Sequence, residues 1–155
     1  MTTQTKAPPH SSSALELPLR RFTVAEYHAM AEAGILTEDD RVELLDGVIV
    51  NMAPIGSRHL GCVNAYVRAF TEAVGRRAIV QVQSPIRLDD GTEPQPDLVL
   101  LQERADFYAS GHAGPQDVLL VIEVADSSVD YDRDEKLPRC RDTGRYRDAG
   151  WAFIP

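Results

Sequence analysis

Cysteine, positive charge and long apolar runs are all scarce in this chain, and each scarcity closes off a class of protein. Only two cysteines occur in the 155 residues, Cys62 and Cys140. They lie far apart and lack ligand spacing, so neither a disulfide framework nor a zinc knuckle is indicated. Basic residues are outnumbered, 16 Lys and Arg against 24 Asp and Glu, for a net charge of −8. Proteins that coat nucleic acid by charge alone carry a basic patch or stripe, so this balance argues against such coating while leaving a local basic groove open. No apolar run approaches the roughly 18 residues of a membrane span. An apolar segment behind Met1 is also missing, which speaks against a secretory signal and makes the cytoplasm the default compartment. Internal repeats are absent. What remains is a globular composition, 43% hydrophobic, at a length that fits one domain with a real core.

The first 20 residues, with Ser11-Ser12-Ser13 in their middle, are rich in Thr, Ser, Pro and Ala. Such a segment buries too little to offset its ordering entropy and is expected to be a disordered tail, with His10 inert within it. Structure is predicted from Phe22. Thr23 is a good N-cap, Glu26 completes a capping box, and Gly34 stops the helix after Ala33. Asp46-Gly47 between apolar runs predicts a hairpin, with Glu43 and Leu45 on one face and Val42 and Leu44 on the other. Leu60, Val63, Val67, Phe70 and Val74 recur at spacings of three and four, predicting the principal helix over Ser57 to Val74, ended by Gly75. A strand over Ile79 to Ser84 follows, then a turn at Asp89-Asp90-Gly91, two further strands and a polar helix from Val129 to about Arg141. This order predicts an α+β fold, a mixed β-sheet with flanking helices.

Two of those strands carry a carboxylate. Asp97 opens Asp97-Leu-Val-Leu-Leu101, and Glu123 interrupts Val118-Leu-Leu-Val-Ile-Glu-Val124. A carboxylate inside an apolar run is costly to bury unless it is paired or binds a metal, so the pair suggests a divalent-cation site. The competing reading is a solvated edge-strand Glu and a turn Asp after Pro96. Glu43 on the hairpin and Lys136 after the Glu123 strand extend the pair to three acids and a lysine, the set that metal-dependent phosphodiester hydrolysis uses. Oxygen ligands hold Mg²⁺, the ion activates water, and an ammonium offsets developing charge. Each residue also has a plainer account: Glu43 as a solvated strand residue, and Lys136 as a surface partner of Asp132 at i,i+4. His59 fits either a helper in the site or a structural role, and Gln81 and Gln83 either line a cleft or form the wet face of a sheet. Arg20-Arg21 and Arg76-Arg77 fit phosphate contacts or solvated surface.

Five short runs in order, Glu43-Leu-Leu-Asp-Gly47, Ser57-Arg-His59, Gln95-Pro-Asp97, Ile122-Glu-Val124 and Asp132-x-x-x-Lys136, resemble the Uma-two family of restriction-endonuclease-like proteins. That family belongs to the PD-(D/E)XK nuclease superfamily. The resemblance covers about Phe22 to Leu137. It implies that Asp97 and Glu123 are the metal-binding pair, Glu43 the additional acid, and Mg²⁺ or Mn²⁺ the cofactor. His59 and Gln83 become auxiliary residues, DNA the expected substrate, and a homodimer a natural arrangement, since nucleases that cut both strands often dimerise. The superfamily lysine normally stands two residues after the second acid, where this chain has Ala125; its role falls to Lys136 on the following helix.

After Leu137 the resemblance stops. Arg139, Arg141, Arg145 and Arg147 break any apolar helix face, and residues 138–155 are expected to be an atypical tail from an out-of-frame read or early stop. The endonuclease-like domain then spans residues 21–137 and lacks its last strands. A bare edge beside the Glu123 strand and low stability follow. The alternative to an active enzyme is an inactive, truncated nuclease fold that binds DNA or a protein.

Overall fold

The computed structural model describes residues 19–37, 39–124 and 150–154. Helix α1 spans Val24–Glu32, the hairpin strands β1 and β2 span Val42–Leu45 and Val48–Asn51, and helix α2 spans Ser57–Val74. Strands β3 (Ala78–Val82), β4 (Leu98–Gln102), β5 (Val118–Val124) and β6 (Gly150–Ile154) form a four-stranded sheet in that order. β4 runs antiparallel to both β3 and β5, and β6 joins β5 in parallel. The α+β class predicted from the sequence is the one observed.

Local signals in the sequence account for most element boundaries. Thr23 caps α1 and Glu26 reaches back to the Thr23 backbone N–H, so the capping box is closed in both directions. Asp46 and Gly47 both take positive φ, 49° and 72°, as a two-residue hairpin of the tight type requires. A Cβ on Gly47 would stand 2.6 Å from Arg21 Cβ and 2.9 Å from the Phe22 carbonyl oxygen, so glycine is needed there twice over. α2 ends at Gly75, also at positive φ, and Arg77 covers the last carbonyls by donating to Ala73 O at 2.7 Å.

The sheet carries a core on each face. On one side, Val63 of α2, backed by Tyr66, Val67 and Phe70, packs on Leu98, Ile122 and Val124. On the other, Val99, Leu101 and Val121 meet Ile86, Leu88, Ala113 and Val118. Alternation along β4 and β5 therefore feeds two apolar layers, which is why both strands read as nearly continuous apolar runs. Each buried Leu or Ile contributes about 1.5–3 kcal/mol. The hairpin docks outside this sheet, through a bridge between Leu44 and Glu93 and a Gly47 N–H to Gly91 O bond of 2.7 Å.

Two expectations need correction. The edge of β5 is not bare: β6 pairs with it over Leu120–Val124, so the atypical C-terminal run supplies a neighbour for the Glu123 strand and the argument for low stability from an open edge falls. The plainer account of Glu43 as a solvated strand residue does not hold either, because Glu43, Leu44 and Leu45 are all buried. The N-terminal residues 1–18, the helix expected over Val129 to Arg141, and Cys140 lie outside the described residues. Among the described residues, no helix is long and apolar enough to cross a membrane.

Candidate functional site

β4 is the inner strand between β3 and β5, and its N-terminal end is where the predicted acids gather. Leu98 pairs with Ile122 on one side and with Val82 on the other. One residue further along, the same register sets Asp97 between Gln83 and Glu123. Hydrogen bonds fix this junction. The Asp97 N–H donates to Glu123 Oε2 at 3.4 Å, and the Val124 N–H donates to Asp97 Oδ2 at 2.9 Å. The Gln83 N–H donates to the Asp97 carbonyl at 3.0 Å. The two carboxylates are thus adjacent, each oriented by the other strand's backbone.

Two auxiliary residues reach Asp97 as well. His59, in the first turn of α2, sets Nε2 at 2.8 Å from Asp97 Oδ1. Both side chains are largely shielded, at 16% and 14% exposure, so this contact is much less screened than a surface pair. Gln83 Nε2 lies 3.5 Å from the same oxygen, at the outer limit of a hydrogen bond. Gln83 takes φ 43°, a left-handed conformation uncommon outside glycine and costly for most residues. The Gln81 amide is turned instead to the carbonyls of Ser84 and Pro85, at 3.4 Å each.

Glu43 enters from the hairpin. It is buried, and its Oε2 accepts from the Gln95 N–H at 3.0 Å, two residues before Asp97. The Gln95 amide in turn donates to the Gln83 carbonyl at 2.7 Å. Glu43, Gln83, His59, Asp97 and Glu123 are therefore tied into one hydrogen-bonded neighbourhood drawn from β1, the end of β3, α2, β4 and β5. Glu123 is buried too, which removes the solvated-edge reading of that residue. Lys136 lies outside the described residues. Three of the four paired arginines make protein contacts: Arg20 pairs with Glu26, Arg21 donates to the Asp46 carbonyl, and Arg77 caps α2.

All the acids here offer oxygen, the donor that hard divalent cations prefer, and two of them are almost fully buried. A second group, which sequence reasoning did not single out, joins His28, Glu93 and His112, with ligand atoms all within 4.8 Å of one another. Tyr27 lies by both neighbourhoods. Burial first, and then the charges of Glu93 and Glu43, push its phenol above the usual tyrosine value. Its hydroxyl donates to the Val42 carbonyl at 3.0 Å.

Comparison with known proteins bears on the family and the fold. A family model, Uma2, described as "Putative restriction endonuclease", matches residues 24–145. A solved structure from Anabaena variabilis, described as a putative nuclease belonging to DUF820, superposes with a TM-score of 0.57 at 13% sequence identity. That match covers 85% of this chain and 74% of the other, and at such identity it establishes the shared fold. No curated protein sequence matches.

Proposed function

We propose that this chain, which belongs to the Uma2 family of restriction-endonuclease-like proteins, hydrolyses DNA phosphodiester bonds with Mg²⁺ or Mn²⁺ held by Asp97 and Glu123. The observation that carries the reading is the register of β4 against β5, which sets these two carboxylates side by side and pins each with a backbone N–H. Glu43, tied to Gln95 just upstream, is the third acid. When bound, the cation supplies positive charge to the phosphoryl oxygens and lowers the pKa of water.

The chain's own residues do the rest. Asp97 and Glu123 present their oxygens from inner, hydrogen-bonded strands and so lose little freedom on binding. His59 and Gln83 are positioning residues: both hold Asp97 Oδ1, and neither needs to touch substrate. The Lys136 ammonium offsets the charge that builds on the phosphoryl oxygens in the transition state. A homodimer that presents two such sites would cut both strands, and the cytoplasm is the compartment that fits the role.

Plasmid nicking in Mg²⁺ or Mn²⁺ tests the proposal. The wild-type chain is expected to convert supercoiled to open-circular DNA, and Asp97→Ala and Lys136→Ala each to lose at least about a hundredfold in rate. Identical background cleavage by all three proteins would overturn it, and DNA retention without cleavage would then identify a binding module.

A further inference from the structure

His28, Glu93 and His112 come from three unrelated parts of the chain. His28 sits on α1, whose first N–H, at Val24, donates to the Asp90 carbonyl at 2.7 Å. Glu93 is fixed by its backbone bridge to Leu44, with the Glu93 N–H to Leu44 O bond at 2.8 Å. His112 precedes Ala113, which is fully buried and bridges to Ile86. Each ligand is thus anchored by neighbouring backbone rather than carried on a loose loop. His28 Nε2 lies 2.7 Å from Glu93 Oε1, and the two imidazole rings are 6.0 Å apart.

The carboxylate is what asks for an ion. The Glu93 side chain is 2% exposed, and its Oε2 is buried with no hydrogen-bond partner among the described residues. A buried carboxylate needs full compensation, and an orphaned oxygen has given up its hydration with nothing in return. One imidazole on Oε1 answers half of that demand. A divalent cation between the carboxylate and the two rings answers all of it.

We propose that His28, Glu93 and His112 form a second metal site, selective for a Zn²⁺-class transition ion rather than for Mg²⁺. Two imidazoles and one carboxylate are ligands that Zn²⁺ accepts in sites with an open fourth position, whereas Mg²⁺ prefers oxygen. The geometry is close to what is needed. Tetrahedral ligands about 2.0–2.2 Å from the ion stand roughly 3.3–3.5 Å apart. The His28–Glu93 pair at 2.7 Å therefore opens slightly, and His112, an exposed side chain, closes in. The ion would tie α1 and the residue-112 segment to the strip that leads into Asp97, leaving one position for water.

Calorimetric titration of the full, chelator-stripped chain with Zn²⁺ in excess Mg²⁺ tests the site. One saturable site is expected. His28→Gln and His112→Gln should each weaken it by at least about tenfold, while Asp97→Asn and His59→Gln leave it unchanged. Co²⁺ in place of Zn²⁺ should give the intense visible bands of a low-symmetry site, lost in His112→Gln. His112 is exposed, so that variant should retain the wild-type circular dichroism. Absence of saturable Zn²⁺ binding, unchanged affinity in both histidine variants, or an equal loss in Asp97→Asn would each overturn the proposal.

Discussion

The two polar neighbourhoods of this molecule are built in opposite ways. Around Asp97 and Glu123, acids sit at matching positions on adjacent strands, and strand pairing itself brings them together. Around Glu93, two histidines and one acid converge from a helix, an extended strip and a loop, and only the tertiary arrangement does so. The first centres on carboxylate oxygens, the donors that hard cations prefer, with one imidazole holding Asp97; the second offers two imidazoles beside one carboxylate, a set that suits a softer ion. They share the hairpin, since Glu43 belongs to the first and the Leu44–Glu93 bridge holds the second. Neighbouring residues of one strand thus support both groups, Glu43 through its side chain and Leu44 through its backbone.

The change with the largest expected effect erases the difference between the two. Gly47→Ala forces a Cβ into the Phe22 backbone and a non-glycine residue into φ 72°. The cost should be ~2 kcal/mol or more, read as a lower urea midpoint at unchanged slope. Both sites should weaken together, because the hairpin supports both. Equal stability of variant and wild type would show that the Arg21–Phe22 segment moves aside freely.

How much of this was legible in the sequence follows the same division. Thr23 with Glu26, Asp46-Gly47, and the apolar recurrence from Leu60 to Val74 are local codes, and each gave its element close to the observed bounds. Asp97 and Glu123 stood out because a charge within an apolar run is visible in one dimension. His59 and Gln83 were visible only as candidates; what decides them is the close of the β3–β4 register and the left-handed turn at Gln83. Glu93 gave no local signal at all. It follows Thr92 in a polar stretch, and its histidine partner is 65 residues away in sequence. β6 was missed for a different reason: the arginines ahead of Gly150 hid a short strand whose partner, β5, is distant along the chain. Loop closure of that kind has no sequence signature.

A smaller change should separate the sites. His59→Ala removes the nearer side-chain partner of Asp97 Oδ1 while touching nothing in the Glu93 group. Mn²⁺ affinity and nicking rate should both fall by about tenfold to a hundredfold, as is usual for a residue that orients a metal ligand. Zn²⁺ binding should not move. Gln83→Ala, which removes only a 3.5 Å contact, should do the same more weakly. Unchanged Mn²⁺ affinity in His59→Ala would remove the histidine from the carboxylate site.

The mildest perturbation works through α1, which carries His28 and no acid of the first neighbourhood. Thr23→Ala opens the capping box and should lower stability by about 1 kcal/mol. The other half of the box should depend on pH. The Thr23 backbone N–H, against desolvation and with help from Arg20, holds the Glu26 carboxyl below its usual value. A group whose folded value is depressed stabilises above its unfolded value, and that contribution is lost as pH falls through the folded one. Thr23→Ala keeps that backbone N–H, so its thermal-midpoint deficit should vary little with pH, whereas the deficit of Glu26→Gln should be full at neutral pH and shrink in acid, below the ordinary glutamate range. Zn²⁺ affinity at neutral pH should drop modestly in Thr23→Ala, because a frayed α1 holds His28 less firmly, while Mn²⁺ binding stays the same. A pH-independent deficit in Glu26→Gln would mean that the threonine hydroxyl alone caps the helix and that the Glu26 carboxylate adds nothing to it.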